Sequence, residues 1–290
     1  MKARVKMLAA MLIFGSIGLF VRQIPIESSV IVLWRSVIGS LFLAAVLLLR
    51  GQKLNLPALR RQLPLLLVSG AVMGANWVCL FEAYRYTTVS AATLAYYCAP
   101  VFVLLASPLV LKEKLTWPRL VGITAAMAGM VLVGGREWTG GASSIKGIQL
   151  GLAAAALYAT LMLLGKFVRD LSGLETTLVR LVGAAAVMAG YLAFSGIQPS
   201  LPPMGLPLAA LILLGVVHTG LACYLFFSAI EELPAQTSAL LSYIDPASAL
   251  VFSALFLGER LQLPQLLGAL LILGGAAFGE SFHSKRKETV

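Results

Sequence analysis

The sequence is poor in charge. Asp, Glu, Lys and Arg make up 12% of its 290 residues, against about 25% in an average soluble domain. Hydrophobic residues reach 59%, compared with roughly 45–50% in soluble proteins. So few charged side chains cannot cover the surface of a globule of this size. The composition therefore excludes a soluble enzyme, a soluble nucleic-acid-binding protein and a disordered chain.

Motifs that carry enzyme chemistry are absent as well. The sequence has no GxxxxGK[ST] phosphate loop, no HExxH zinc motif and no GxSxG nucleophile motif. Its three cysteines, Cys79, Cys98 and Cys223, lie in apolar runs without CxxC spacing, which indicates packing rather than disulfide or metal binding. We therefore expect neither an ATP-driven pump nor an enzyme, and no cofactor or metal.

What the sequence does have is long apolar runs. A transmembrane helix uses about 20 apolar residues, and Gly, Pro and charged residues divide this chain into ten such runs. The pattern predicts an all-α membrane protein of ten transmembrane helices with no room for an extramembrane domain. The predicted helices cover residues 5–22, 28–50, 62–84, 88–111, 117–135, 146–167, 173–195, 205–229, 234–257 and 262–281.

The positive charges are distributed unequally between the two predicted faces. Fifteen of the 22 Lys and Arg residues fall on the side of the N-terminus and the C-terminal tail, and five fall on the other side. Because cytoplasmic loops carry the excess of Lys and Arg, both termini are predicted to be cytoplasmic in a multi-pass protein of the plasma (inner) membrane. The basic start, Met1 to Lys6, resembles a signal peptide, but we interpret it as the beginning of an uncleaved first helix.

The chain contains an internal repeat. When residues 89–132 are shifted by 146 positions, thirteen of 44 are identical, including matched Tyr, Pro, Glu and Gly residues. Each half then holds five helices, an odd number, so the halves cross the membrane in opposite senses. The repeat predicts two inverted five-helix units, residues 1–138 and 145–283, followed by a cytoplasmic tail, 284–290.

Two copies of one motif identify a family. Pro100, Glu113-Lys114-Leu115, Pro118 and Gly122 reappear as Pro246, Glu259-Arg260-Leu261, Pro264 and Gly268. Each half also has an arginine in its second helix, Arg35 and Arg180. With these features the chain resembles the drug/metabolite transporter superfamily, specifically the EamA-type ten-helix permeases. The resemblance covers about residues 5–281 and implies a secondary transporter, while it leaves the substrate open among amino acids, other metabolites and drugs.

Few ionisable residues lie at membrane depth, and each is a candidate for function because burying it is costly. Asp245 lies near the middle of predicted helix 9, and His218 lies near the middle of helix 8. Their repeat partners are Ala99 and Val72, so the duplicated scaffold does not need either group. We expect Asp245, together with His218, to bind a coupling proton or a cationic group of the substrate. The alternative is a neutral acid near Pro246 and a packed histidine.

Two prolines and a set of polar and aromatic residues complete the predicted pathway. Pro100 and Pro246 fall within helices 4 and 9, where each removes a helical hydrogen bond, and we expect kinked helices that act as hinges. A cavity that is apolar with a few polar points suits a small-molecule ligand. Its candidate lining residues are Asn76, Trp77, Tyr96, Tyr97, Tyr158, Tyr224 and Tyr243.

The two repeat-related arginines suggest ion pairs near the ends of the helices. Arg35 and Glu82 have matching depths, and Arg180 is within reach of Glu231 or Glu232. Because both halves keep the arginine, we interpret these pairs as gates or braces, with attraction of an anion as the functional alternative. Pairs of glycines on shared helix faces, such as Gly122 with Gly129 and Gly268 with Gly275, predict close helix packing.

Together these observations predict a secondary transporter that moves small organic metabolites, amino acids or related compounds first, by alternating access and in the export direction. The alternative within the same class is a carrier for the efflux of drugs and toxic compounds. A channel or a membrane enzyme is the alternative of a different class. The expected partners are the small-molecule substrate and the lipid bilayer, with a coupling proton and a homodimer left open and no nucleic acid.

Overall fold

The protein is helical throughout its described part. The computed structural model describes residues 2–51, 54–134, 142–258 and 263–284, and no strand occurs within them. The helices, labelled in chain order, are α1 Ala3–Gly15, α2 Ile17–Val21, α3 Ser28–Leu49, α4 Leu56–Tyr86, α5 Val89–Tyr96, α6 Ala99–Val110, α7 Trp117–Gly134, α8 Ala142–Leu164, α9 Gly173–Ser195, α10 Leu206–Leu213, α11 Ala222–Glu232, α12 Ala235–Ser242, α13 Ile244–Leu257 and α14 Leu263–Ser284. A 3₁₀ turn, Gly165–Phe167, follows α8, and a π-helical segment, Leu214–Leu221, joins α10 to α11.

Many of these helices are long and apolar enough to cross a bilayer. Within the described residues eight stretches meet that standard, and two shorter apolar helices, Trp117–Val133 and Leu263–Gly279, accompany them. The eight are Ala3–Val21, Ser28–Leu49, Leu56–Tyr86, Ala91–Val110, Ile145–Phe167, Gly173–Ser195, Leu206–Glu232 and Ala235–Phe256. The motif residues Glu259, Arg260 and Leu261 and the end of the tail, residues 285–290, lie outside the described chain.

Where the chain carries clear capping signals, the helix ends follow from local chemistry. The helix α9 begins with a capping box, in which the Ser172 hydroxyl accepts from the Glu175 N–H and the Glu175 carboxylate accepts from the Ser172 N–H. The helix α4 begins at Leu56, six residues before the predicted start. Its cap is the Asn55 side chain, which accepts from the Ala58 N–H at 3.3 Å.

Four of the predicted continuous helices are interrupted. The first breaks at Ser16 between α1 and α2, the fourth at Tyr97–Cys98 between α5 and α6, and the ninth at Tyr243 between α12 and α13. The eighth passes through the π-helical segment Leu214–Leu221. The breaks in the fourth and ninth helices come just before Pro100 and Pro246, in agreement with the predicted kinks. Their action as hinges stays a prediction.

Helices from the first half of the chain pack mainly against helices from the second half. The helix α1 packs against α11 and α13, α3 against α9 and the π-helical segment, α4 against α8 and α9, and α7 against α14. The largest core contains Met7, Met11, Leu43, Met162 and Phe227. Large apolar side chains such as Leu49 and Phe194 point outward, as expected for surfaces that meet lipid.

Candidate functional site

A cavity of about 730 Å³ lies where the four interrupted helices meet. Its walls come from the α1–α2 break, α3, α4, α5, α8, α11 and α13. Cavities of roughly 300–1,000 Å³ are typical of small-molecule sites. The lining extends from Cys223 and Asp245 to Ser28, the first residue of α3, and Tyr84, close to the end of α4. The cavity therefore reaches the face of the molecule where α3 begins and α4 ends.

Asp245 lies in this cavity, as the predicted binding role requires. It stands in the first turn of α13, directly after the break at Tyr243. Its carboxyl group interacts with the Tyr97 side chain and, electrostatically, with Tyr84, Tyr96 and Tyr158, which line the same cavity. None of the ion pairs between described residues involves Asp245. The carboxyl group is therefore available to a cation that enters the cavity.

Five of the predicted lining residues are brought together around the cavity: Asn76, Trp77, Tyr96, Tyr97 and Tyr158. Asn76 donates from Nδ2 to the Ala154 carbonyl at 2.6 Å, which ties α4 to α8. The rings of Tyr96 and Tyr158 are stacked, with centroids 5.4 Å apart and an angle of 17° between their planes. These contacts give the cavity a rigid aromatic wall with hydroxyl groups along it.

The other three predicted side chains, His218, Tyr224 and Tyr243, do not line the cavity. His218 is buried behind the α1–α2 break, where its Nε2 lies 2.9 Å from the Ser16 Oγ and its ring packs against Phe20. Tyr224 follows the lining residue Cys223 by one position, which turns it about 100° around the helix, and it packs against the main core. Tyr243 is fully buried and donates to the Tyr97 carbonyl at 3.4 Å.

The predicted pair between Arg35 and Glu82 does not form. Glu82 accepts from Arg85 Nη1 at 3.0 Å and from the Tyr191 hydroxyl, so it faces α9 rather than the cavity. Arg35 lines the cavity with its guanidinium 5.2 Å from the centre of the Trp77 ring. The prediction was wrong because matched depth does not tell on which face of α4 a side chain lies, and Arg85 is one turn from Glu82 on the same helix.

The second predicted pair does form. Arg180 is fully buried, and its Nη1 lies 3.4 Å from the Glu231 Oε1. Glu231 also accepts from the Thr176 hydroxyl at 3.0 Å, and the guanidinium lies 4.4 Å from the centre of the Phe227 ring. The neighbouring Glu232 pairs with Lys6 instead. Whether the Arg180–Glu231 pair acts as a gate or as a brace stays a prediction.

Polar contacts join many segments at the end of the molecule that carries Lys6. Arg61 pairs with Asp170 at 3.0 Å. Glu113 accepts from the Ala235 N–H at 2.7 Å and from the Gln236 N–H at 3.2 Å, so it caps α12 from the far half of the chain. We call this surface, defined by Lys6, Arg61, Glu113, Asp170 and Glu232, the N-terminal face.

Comparison with known proteins gives the family. The sequence model of the EamA-like transporter family matches residues 1–135 and 145–278. The chain belongs to the EamA-like transporter family. This protein is thus a member of the drug/metabolite transporter superfamily, a multi-pass membrane protein and a membrane transporter.

Relatives of this EamA-like transporter carry the same general description. The uncharacterized transporter YxxF of Bacillus subtilis (strain 168) is 30% identical over 277 residues, which are 95% of this chain and 88% of that protein. The uncharacterized transporter YetK of the same organism is 27% identical over 286 residues, 95% of this chain and 86% of that protein. A crystal structure of a protein with 19% identity covers 98% of both chains with a TM-score of 0.87, which shows a shared fold.

Sequence reasoning missed several residues that line the cavity of this EamA-like transporter. Tyr84 follows Asn76 and Leu80 at intervals of four residues, and all three line the cavity. Residues four positions apart share one face of a helix, so this spacing could have identified Tyr84 from Asn76. Phe14, Thr93 and Ser253 also contribute to the lining, but no feature of the sequence near them distinguishes a cavity wall from a packed core.

Proposed function

We propose that this protein is a secondary transporter that exports small organic metabolites, amino acids and related compounds first, by alternating access. The observation that carries the proposal is the cavity between segments from both parts of the chain, which contains a carboxylate without an ion-pair partner among the described residues. A lipid bilayer and a small-molecule substrate are the partners that such a transporter requires.

Ten membrane crossings are supported by which segments share a face. Glu113 contacts the start of α12 on the N-terminal face. The Lys146 ammonium lies 3.9 Å from the centre of the Tyr86 ring, at the end of α4 remote from that face. Between Glu113 and Lys146 the chain must therefore pass from one face to the other, and α7 is the apolar helix in that interval. With α14 as its counterpart, α7 supports a total of ten spans.

The inverted relation of the two halves is supported by reciprocal contacts between α7 and α14. A Cβ atom placed on Gly122 would lie 2.5 Å from the Gly275 carbonyl oxygen, and one on Gly129 would lie 2.5 Å from that of Gly268. The repeat offset of 146 converts Gly122 into Gly268 and Gly129 into Gly275. Each contact is thus the image of the other, as a two-fold axis between the halves requires.

Alternating access fits the difference between the two ends of the molecule. The cavity reaches Ser28 and Tyr84, while polar contacts join segments across the N-terminal face. We infer a conformation open away from the N-terminal face. With the charge distribution that assigns this face to the cytoplasm, the described state is outward-open, and rocking of the two halves would expose the cavity to the opposite side.

Asp245 is our candidate for the group that binds a coupling proton or the cationic part of the substrate. The test is transport of a panel of labelled amino acids into proteoliposomes, with and without a pH gradient, for the wild type and for Asp245→Asn. We expect the variant to lose transport that depends on the pH gradient, because its amide cannot bind and release a proton. Asp170→Asn removes an exposed carboxylate paired with Arg61 and serves as the matched control. Equal transport by the wild type and Asp245→Asn would contradict the assignment.

Efflux of toxic compounds is the second candidate function, favoured by the aromatic wall of Trp77, Tyr96 and Tyr158. Such a wall also suits a lipophilic cation, which gains from cation–π contacts. Transport of tetraphenylphosphonium in the same proteoliposomes, without transport of any amino acid, would favour this function over metabolite export.

A further inference from the structure

Arg35 stands in the cavity, and none of the ion pairs between described residues involves it. Its guanidinium lies against the Trp77 ring, and it interacts electrostatically with the side chains of Cys223, Tyr96 and His218. The buried Nε has no hydrogen-bond partner among the described residues. A cation removed from bulk water is costly unless a counter-ion accompanies it. The structure therefore leaves open which group supplies the negative charge that balances Arg35.

The repeat shows that the missing counter-ion is specific to the first half. The equivalent arginine, Arg180, is paired with Glu231. The repeat offset of 146 places Arg85 at the position of Glu231, and an offset of 145 places Tyr86 there. Neither residue is acidic. The acid nearest in sequence, Glu82, is held by Arg85 and Tyr191. The first half has thus kept the arginine and lacks the carboxylate that would neutralise it.

The cavity contains an opposite charge that does not neutralise Arg35 either. Asp245 and Arg35 both line the cavity, and no ion pair joins them. The Tyr96 side chain lines the same cavity and interacts electrostatically with both groups. The cavity therefore presents a cation and an anion held apart along an aromatic wall. A molecule that carries both charges and an apolar part matches this arrangement.

We propose that Arg35 is a substrate-binding and specificity-determining residue, which binds the carboxylate of a zwitterionic substrate whose cationic group faces Asp245. This inference rests on the proposed transport of amino acids and related compounds. A guanidinium binds a carboxylate through two parallel hydrogen bonds, which no other side chain reproduces. The substrate supplies the counter-ion that Glu231 supplies to Arg180, and the Tyr and Trp rings cover its apolar part.

The experiment compares matched probes that differ in one charged group. The probes are L-phenylalanine, phenethylamine, which lacks the carboxylate, and 3-phenylpropionate, which lacks the ammonium, with the corresponding set L-leucine, isopentylamine and 4-methylpentanoate. Thermal stabilisation and transport are measured for the wild type, Arg35→Gln and Arg35→Lys. Arg85→Gln is the control, since it removes a guanidinium that lies outside the cavity lining.

We expect Arg35→Gln to weaken binding of the carboxylate probes about tenfold or more, the value of one charged hydrogen bond. Binding of the amines should be unaffected. Arg35→Lys should retain part of the binding.

A brace and a substrate ligand also differ in the absence of any probe. If Arg35 binds substrate, Arg35→Gln melts close to the wild type, because the contact with the Trp77 ring is lost but no ion pair between described residues is. Melting well below both the wild type and Arg85→Gln would overturn the proposal in favour of a brace. Binding of carboxylate probes that is equal in the wild type and Arg35→Gln, or absent from the wild type, would overturn it as well. If only the amines are transported, the role of Arg35 is refuted but the transport function is not. If no compound is transported while the carboxylate probes still bind, the transport function is refuted but the role of Arg35 is not.

Discussion

Arg35 and Arg180 occupy equivalent positions in the repeat but have different surroundings. Arg180 is fully buried and paired with Glu231, whose side chain is 16% exposed. Arg35 faces a cavity and lies against a tryptophan ring. A buried arginine with a carboxylate partner stabilises the packing around it, whereas an arginine at a cavity wall can exchange one anion for another. One duplicated residue can in this way serve stability in one half and binding in the other.

The Arg180–Glu231 pair yields a prediction for stability. Glu231→Gln leaves the Arg180 charge buried without a partner, and loss of one member of a buried pair costs about 3–5 kcal/mol. We expect a clear fall in the melting temperature of the protein in detergent. The adjacent Glu232→Gln is the control, because the Glu232 side chain is 52% exposed and exposed ion pairs contribute about 1 kcal/mol or less. Equal melting temperatures for the two variants would show that the buried pair does not stabilise the protein.

The sequence identified the chemistry of the site better than its geometry. Asp245 and Asn76 were predictable because a polar side chain within a long apolar run needs a partner or a function. His218 has the same sequence signal but lies behind the cavity wall. The π-helical segment around His218 changes which side chains share a face of the helix. Nothing in the residue pattern predicts that segment. The Arg35–Glu82 prediction failed for the related reason that depth alone does not define a face.

At the scale of the elements, the sequence predicted helices more reliably than their interruptions. The ends of α3 and α9 agree with the apolar pattern to within about one residue, because Ser and Gly residues mark them. The breaks before Pro100 and Pro246 follow from the missing N–H of proline. The break at Ser16 has no proline beside it, but it falls at the pair Gly15-Ser16, where the Ser16 hydroxyl donates to the Ile13 carbonyl at 2.8 Å. It accompanies the close approach of α1 to α13, where a Cβ atom on Gly15 would lie 2.8 Å from the Asp245 carbonyl oxygen.

The crossing of α7 and α14 gives a prediction about packing. A Cβ atom on Gly275 would lie 2.5 Å from the Gly122 carbonyl oxygen and 3.0 Å from the Ala126 nitrogen, whereas one on Gly274 would meet nothing within 4 Å. Gly275→Ala must therefore separate two backbones, and overpacking of this kind costs about 1–3 kcal/mol. Gly274→Ala should leave stability unchanged or raise it by up to about 1 kcal/mol, because alanine favours the helix. Melting curves of both variants test this pair, and a greater loss for Gly274→Ala would refute the described contact.

At the scale of the whole molecule, the charge distribution and the contacts describe the same face. The distribution of Lys and Arg along the sequence groups the N-terminus with the loops that contain Arg61, Lys114 and Arg169. The contacts of the structure group Lys6, Arg61, Glu113, Asp170 and Glu232 on the N-terminal face. The first feature comes from the sequence and the second from contacts in the structure, and Lys6 and Arg61 belong to both. Their agreement is what the positive-inside rule expects of one cytoplasmic surface.

This agreement predicts which positions a membrane-impermeant maleimide can reach. Lys114 is exposed beside Glu113 on the N-terminal face, and Ser200 is exposed on the opposite face, where its carbonyl accepts from the Trp34 indole at 3.2 Å. After replacement of Cys79, Cys98 and Cys223 by alanine, we expect Ser200→Cys to be labelled in intact cells. Lys114→Cys should be labelled only after permeabilisation, because a cytoplasmic thiol is shielded by the bilayer. The reverse pattern would invert the molecule and make the described cavity inward-open. Labelling of both positions in intact cells would place them on one face and refute the odd number of crossings in each half, on which the inverted repeat depends.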